Sequence, residues 1–189
     1  MNIVALIGSV SGKKTKTALN TVMNCFDDVH TKTSLNIGEY ALQFSDGRPI
    51  WEYNEDTQTL INTILACDIL IVGTPTYQTS IPGALKNVFD LLPPNALKNK
   101  VVGIVALAGS SKHYLMVESQ LKPILAYMGA FLVQKYVFIE DADFEDGIIA
   151  NTNILHRIHQ LCYDSMFMAK TYEHSKGAYN PTHTQTHTL

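Results

Sequence analysis

Short apolar runs alternate with longer amphipathic stretches along most of the chain. Apolar runs of this length, rich in Val and Ile and ending in Gly, Ser or acidic residues, are typical of strands buried on both faces of a sheet. A more weakly alternating stretch, residues 29–35, predicts an outer strand. The strongest apolar runs span residues 3–7, 69–72, 100–108 and 130–139.

Helical patterns fill the spaces between these strands. Within residues 15–26 the apolar positions fall on one stripe at helical spacing. Pro123 lies inside a long helical pattern and predicts a kink there, because proline removes a backbone donor. Strand and helix alternate five times, which indicates a doubly wound parallel sheet. The predicted helices span residues 15–26, 57–67, 81–92, 112–129 and 148–170.

One domain, residues 1–170, accounts for this alternation. The remaining residues, 171–189, lack apolar periodicity and predict a tail that is flexible or packed on a partner subunit. Three histidines of that tail, His174, His183 and His187, are spaced too irregularly to predict a metal site.

Composition narrows the classes of function. The chain of 189 residues has a net charge of −3 and 46% hydrophobic residues. A mildly acidic chain does not favour nucleic-acid binding, and no run reaches the ~18 apolar residues of a membrane span. The first residues, MNIVALIGS, have no basic segment before the apolar run, so they predict a strand and not a signal peptide. Cys25, Cys67 and Cys162 are far apart and predict core positions in a reduced, cytoplasmic protein.

Small polar loops follow the first, third and fourth predicted strands. Because carboxyl ends of parallel strands share one edge of the sheet, these loops should converge on one crevice. The first loop lies between a strand and a helix N-terminus, where free amide groups and the positive helix end attract a phosphate. Its hydroxyl groups and charges come from Ser9, Ser11, Lys13, Lys14, Thr15, Lys16 and Thr17.

Two other phosphate-binding motifs do not fit this loop. Gly8 and Gly12 are separated by three residues where a P-loop has four, and Lys14 follows Lys13 where a P-loop has Ser or Thr. The glycine pattern of a dinucleotide-binding Rossmann site is also absent. The loop therefore predicts a phosphate site of neither of these two kinds.

The loop after the third strand is polar but carries no charge. Its plainest interpretation is a β-turn that caps the sheet. Its hydroxyls and single aromatic ring, beside a phosphate site, also suit a neutral planar heterocycle. The residues assigned to that ligand are Pro75, Thr76, Tyr77, Gln78, Thr79 and Ser80.

The third loop, Gly109, Ser110 and Ser111, is expected to line the opposite side of the ligand site. His113, just beyond it, is better explained as a residue that stabilises the following helix start than as a ligand contact. No nucleophile elbow, paired-carboxylate site or other catalytic constellation is visible, so no catalytic residue is assigned. A bound cofactor would then supply the chemistry of any reaction.

These motifs resemble the NADPH-dependent FMN reductase family of flavodoxin-like proteins from Met1 to about Lys170. Gly8-Ser9 followed by a polar basic loop resembles the family's phosphate loop. The stretch PTYQTSIPGALKN, residues 75–87, is close to the family signature P-x-Y-x-x-S-x-P-G-x-L-K-N. Two departures matter: Ser11 occupies the position of a usual arginine, and Ala108 that of a usual glycine.

The resemblance implies a flavodoxin-like, five-stranded parallel sheet in the order 2-1-3-4-5 with helices on both faces. It implies FMN as cofactor, with its phosphate on residues 9–17 and its ring between residues 75–80 and 109–111. NADPH or NADH would pass a hydride through flavin N5 to free flavin, a quinone or an azo compound. Members are usually homodimers or homotetramers. A flavodoxin-type electron carrier without NAD(P)H turnover stays open as the alternative, as does a regulatory flavin binder.

Overall fold

The computed structural model describes residues 1–176. Its central feature is a parallel sheet in which the first strands run in the order β2-β1-β3-β4-β5, so the predicted topology is confirmed. A sixth strand, β6, pairs with β4 beyond the end of β5. The strands are β1 (Asn2–Ile7), β2 (Thr31–Asn36), β3 (Ile69–Pro75), β4 (Val101–Ala108), β5 (Phe131–Leu132) and β6 (Val137–Glu140).

The sheet separates two apolar layers. Along β1, alternate residues point to opposite faces, so that Val4 packs in one layer and Ile3 in the other. Helices α1 and α5 cover the Ile3 face, while α2, α3 and α4 cover the Val4 face. The helices are α1 (Lys13–Asn24), α2 (Glu55–Leu65), α3 (Gly83–Leu91), α4 (Lys122–Tyr127) and α5 (Thr152–Lys176).

The amphipathic stripe predicted for the first helix is confirmed. Its apolar side chains are nearly inaccessible to solvent and pack against the strands of the Ile3 face. These side chains belong to Ala18, Leu19, Val22 and Met23, and Phe26, just beyond the end of the helix, packs in the same layer.

Several element boundaries differ from the sequence predictions. The fifth strand is interrupted, because β5 ends at Leu132 and β6 begins at Val137. The last helix begins at Thr152, since residues before it form a two-stranded antiparallel hairpin, β7 (Phe144–Glu145) and β8 (Ile148–Ile149). Helix α5 also continues past Lys170 to Lys176; the rest of the predicted tail lies outside the described residues.

The helical stretch predicted for residues 112–129 spans residues 115–127, of which α4 is the last part, and Pro123 lies inside it. The irregularity lies just before the proline, where residues Val117–Leu121 form a wide π-type turn. A wide turn is one way for a helical segment to reach a proline without the clash that an ordinary α-turn would impose. The turn also changes which side chains face the loops at the sheet edge.

The first loop is fixed closely against the third strand. Gly8 N donates a hydrogen bond to Gly73 O at 2.7 Å. A side chain on Gly8 would bring its Cβ within 2.7 Å of Gly73 O and 2.8 Å of a Leu85 methyl carbon. Only glycine allows this approach, which brings the loops after β1 and β3 side by side. Among residues 1–176, no helix is both long and apolar enough to span a membrane.

Candidate functional site

The loops that follow β1, β3 and β4 border one cleft at the carboxyl edge of the sheet. The cleft has a volume of about 340 Å³. It is lined by residues 12–15 of the first loop, residues 75–77 of the second and residues 107–109 at the end of β4. Asp141, just beyond β6, completes the wall. The predicted convergence of these segments is therefore present, with an acidic residue that the prediction did not include.

The first loop ends in an uncapped helix N-terminus. Gly12 is the N-cap residue of α1 and supplies no side chain to the free amide groups of the first turn. Ser9 and Thr15 are buried beside it. A Cβ on Gly12 would lie 2.6 Å from Ser9 Oγ and 3.2 Å from Thr15 Oγ1. The missing side chain thus keeps a small polar space open at the positive end of α1, as an anion requires.

The lysines of this loop have different environments. Lys14 Nζ lies 2.7 Å from Asp141 Oδ1 and 5.2 Å from the centre of the Phe144 ring. Lys16 Nζ lies 3.0 Å from Glu39 Oε1, outside the cleft lining. Lys13 lines the cleft and forms no ion pair with any residue of the described chain. Lys13 is therefore the loop cation most available to a bound anion.

The second loop presents one buried polar atom without a partner. Thr76 N donates to Leu107 O at 2.8 Å, which ties the end of β3 to β4. Thr76 Oγ1 is buried and has no hydrogen-bond partner among residues 1–176. A buried hydroxyl left unpaired costs about 1–3 kcal/mol. Because Thr76 lines the cleft, rotation of its side chain to another staggered rotamer would turn this hydroxyl toward a polar ligand there.

Beyond Thr76 the chain turns sharply. Tyr77 and Ser80 exchange backbone hydrogen bonds of 2.9 Å in each direction, which closes a two-residue turn. Both central residues have left-handed backbones, with φ of 49° at Gln78 and 61° at Thr79. Such turns usually contain Asn or Gly at these positions, so this one is strained. The β-turn interpretation is correct for the backbone, and Tyr77 still lines the cleft.

The third loop contributes less to the cleft than its sequence suggested. Gly109 lines the cleft, but Ser111 begins a 3₁₀ turn that ends at His113 and lines a separate cavity of about 510 Å³. That cavity lies beside Tyr136 and Arg157, whose guanidinium donates to Tyr136 O at 3.0 Å.

The predicted site residues therefore divide into two groups. Those that line the cleft are Lys13, Lys14, Thr15, Pro75, Thr76, Tyr77 and Gly109. Those that flank it without lining it are Ser9, Ser11, Lys16, Thr17, Gln78, Thr79, Ser80, Ser110 and Ser111. Gly12, Leu107, Ala108 and Asp141 line it although none was predicted. Their common signal is position, since each lies at or just after the end of a strand or at a helix N-terminus.

Two cysteines line a cavity separate from the cleft. Cys25 Sγ donates a hydrogen bond to Thr21 O at 3.3 Å and Cys162 Sγ donates to Val22 O at 3.5 Å, and burial raises the pKa of both thiols. His159 Nε2 lies 4.0 Å from Cys25 Sγ. Within residues 1–176 no three His, Cys, Asp or Glu side chains are arranged to hold a metal ion. Cys67 and Cys162 are core residues, as predicted, whereas Cys25 is only half-buried.

Comparisons with known proteins bear on this arrangement. Residues 1–144 match the family model described as NADPH-dependent FMN reductase. An NAD(P)H-dependent FAD/FMN reductase of Geobacillus thermodenitrificans (strain NG80-2) is 36% identical over 172 residues, covering 89% of this chain and 93% of the relative.

Two further proteins agree with that match. An NADH-dependent FMN reductase of Pseudomonas putida is 29% identical over 84% of this chain and 87% of its own. A solved NADH:FMN oxidoreductase in its apo form superposes with a TM-score of 0.69 at 26% identity, covering 86% of this chain and 88% of that one. The resemblance seen in the motifs is confirmed, and the chain belongs to the NADPH-dependent FMN reductase family.

Proposed function

We propose that this protein binds FMN in the cleft at the carboxyl edge of the sheet and uses it as an NAD(P)H-dependent oxidoreductase. The observation that carries this proposal is the unpaired, buried Thr76 Oγ1 in a cleft whose other end is an uncapped helix N-terminus. A polar heterocycle joined to a phosphate satisfies both features at once. The family match and the names of the relatives support the same ligand.

One set of residues suits the phosphate of FMN, and another suits its ring. The free amide groups at the start of α1, with Ser9, Thr15 and Lys13, would hold the phosphate, where Gly12 leaves room. Thr76 and the backbone of the second loop would hydrogen-bond the polar edge of the ring. Gly109 has no atom closer than 3.9 Å to the position of an added Cβ, so the wall there is open for a flat group. FMN, when bound, supplies hydride-transfer chemistry at its N5 atom.

The protein's own contribution is binding, orientation and exclusion of water. In the part of the chain that the structure describes, no acidic or basic side chain is placed in the second loop. Tyr77 is half-exposed at the rim, where its ring can cover one side of a bound planar group. A site of this kind suits a reaction in which the cofactor, not a protein acid or base, exchanges the electrons.

The proposed hydride donor is NAD(P)H, and the proposed acceptors are free flavin, a quinone or an azo compound. An FMN-dependent NADPH-azoreductase of Staphylococcus aureus (strain USA300), 35% identical over 56% of this chain, supports the last class. We also propose that the protein acts in the cytoplasm as a homodimer or homotetramer. Exposed apolar side chains beside the site, Tyr77, Tyr114 and Leu115, support coverage by a second copy.

The test combines binding and turnover. FMN is titrated into the purified protein, with flavin fluorescence as the signal, and NADPH or NADH oxidation is followed with FMN, menadione or methyl red as acceptor. Saturable binding and turnover above the uncatalysed rate are expected. Binding without turnover would favour the flavodoxin-type carrier, and no binding would overturn the proposal. Size-exclusion chromatography with light scattering reports the number of subunits.

A further inference from the structure

The second loop is held from outside by a side chain that lies far from it in sequence. Gln120 belongs to the wide turn Val117–Leu121. Its Oε1 accepts a hydrogen bond from Ser80 Oγ at 2.6 Å, and its Nε2 donates to Thr79 O at 3.2 Å. Because a backbone carbonyl can only accept, the amide can satisfy both partners in one orientation only. One side chain therefore bridges two adjacent residues of the turn.

The turn needs such support. Gln78 and Thr79 both have left-handed backbones, a conformation that costs a residue with a side chain roughly 1–2 kcal/mol. Within the turn, the only backbone bonds opposing that strain are the pair between Tyr77 and Ser80. A strained turn with so few internal bonds opens easily unless neighbouring structure holds it. Gln120 contacts it at the residue with the larger φ and at the residue that closes it.

The wide turn explains why Gln120 can reach the loop. An α-turn and a π-turn place the same residue at different angles around the helix axis, because the wider turn holds one more residue. The wide turn ends two residues before Pro123, so the proline and the orientation of Gln120 belong to one local feature. π-turns inside helices are frequent at functional sites.

We propose that Gln120 is a positioning residue for the flavin site: it holds the turn of residues 77–80 closed and so fixes Thr76 and Tyr77 in the cleft. The proposal rests on the proposed function, since it assigns Gln120 to the same FMN site. Gln120 itself does not line the cleft. Its effect reaches the ligand only through the backbone of the second loop.

The first experiment measures the turn without any ligand. Hydrogen exchange of the FMN-free protein is compared between wild type and Q120M, which keeps the length of the side chain and removes both hydrogen bonds. The amides of Tyr77 and Ser80 should exchange roughly fivefold or more faster in Q120M, because each such bond shifts an equilibrium by a factor of about 2 to 12. The free energy of global unfolding should fall by at most the worth of the two lost bonds, about 0.5–1.5 kcal/mol each, because the unfolded chain lacks both of them in either protein.

Matched variants separate positioning from a general structural effect. S119A changes the neighbouring residue of the same turn, whose hydroxyl donates to Leu115 O at 2.7 Å and makes no hydrogen bond to the second loop. In S119A the amides of Tyr77 and Ser80 should exchange at the wild-type rate. Q120E keeps an acceptor for Ser80 but cannot donate to Thr79 O when ionised. The exchange rates of the Tyr77 and Ser80 amides in Q120E should therefore lie between those of wild type and Q120M. In the double variant S80A/Q120M the two effects should not add, because they remove one shared bond.

The second experiment measures FMN binding by fluorescence titration. The Kd for FMN should rise roughly threefold to tenfold in Q120M and stay within twofold of wild type in S119A. Equal exchange at Tyr77 and Ser80 in wild type and Q120M would overturn the proposal, and so would faster exchange with an unchanged Kd. If wild type itself binds no FMN, the proposed function fails, and the role of Gln120 at that site fails with it, whatever the exchange shows about the turn.

Discussion

Lys14 Nζ lies 2.7 Å from Asp141 Oδ1, so a cation of the first loop is paired with an acid from the far side of the cleft. Both side chains line the cleft, and Asp141 therefore places a negative charge near the proposed phosphate site. Asp141→Asn should tighten FMN binding by a factor of about 1.4 to 5, since an exposed pair of this kind is worth roughly 0.2–1 kcal/mol. Titration at low and high salt checks this, and Lys14→Gln is expected to weaken binding. Weaker binding in Asp141→Asn would show that the carboxylate is needed to orient Lys14.

Gly12→Ala should disturb the proposed phosphate site at the start of α1. Its Cβ would lie 2.6 Å from Ser9 Oγ, closer than real contacts allow, so Ser9 or the start of α1 must move. We expect a loss of about 1–3 kcal/mol in the free energy of unfolding, together with a clear rise in the Kd for FMN. Gly83→Ala is the matched control, because no atom lies within 4 Å of the position of its Cβ. Urea unfolding and FMN titration of both variants distinguish overpacking at the proposed phosphate site from a general intolerance of glycine substitution.

The sequence predicted a doubly wound parallel sheet because local patterns carry that information. A parallel strand buried on both faces reads as a continuous apolar run, and five such units with helices between them admit few topologies. The loops after β1, β3 and β4 could be placed together for the same reason, since parallel strands all end at one edge. The resemblance to a known family then supplied the strand order itself.

What the sequence could not predict are contacts between distant segments. Gln120 and Ser80 are separated by forty positions, and no periodicity relates them. The same holds for Lys14 and Asp141. Asp141 belongs to the acidic stretch 140–146, in which nothing in the sequence singles it out, yet it follows β6 at the edge where the cleft lies. The interruption of the fifth strand between Leu132 and Val137 also has no marker in the alternation of residues.

Thr76→Val should have opposite effects on stability and on binding. The change removes a buried hydroxyl that has no partner in the FMN-free protein, so the free energy of unfolding should rise by about 1 kcal/mol or stay constant. FMN affinity should fall by a factor of about 2 to 12, because a hydrogen bond to the ligand is lost. Thr74→Val is the control: Thr74 is fully buried and its Oγ1 donates to Pro75 O at 2.9 Å, so this variant should be less stable. Unchanged FMN affinity in Thr76→Val would place the ligand's polar edge elsewhere.

Thr79→Gly should stabilise the folded protein by relieving the left-handed backbone at that position. The φ of Thr79 is 61°, a region that glycine adopts without steric cost. Glycine also gains freedom in the unfolded chain, so we expect a net increase of about 0.5–1 kcal/mol in the free energy of unfolding. Gly47→Ala provides the reverse test. Gly47 has a φ of 87° and no atom within 4 Å of the position of an added Cβ, so alanine should lower the free energy of unfolding through backbone strain alone. Urea unfolding of the FMN-free variants gives both values; a less stable Thr79→Gly would mean that the threonine side chain makes contacts that outweigh the strain.

Cys67 should make the protein less stable in alkaline solution. Burial raises its pKa from the ordinary 9.0 to about 12, against the attraction of the nearby Lys100 ammonium. Below pH 9 the thiol is neutral in both the folded and the unfolded chain, so it has no influence on the pH dependence. Between pH 9 and about pH 12 the unfolded chain releases this proton while the folded chain keeps it, and stability falls as the pH rises. Urea unfolding of wild type and Cys67→Ala at about pH 8 and about pH 10.5 isolates the effect: the stability of wild type relative to the variant should drop by about 1–2 kcal/mol across this interval. A constant difference between the two proteins would show that the Cys67 thiol ionises as readily in the folded chain as in the unfolded one.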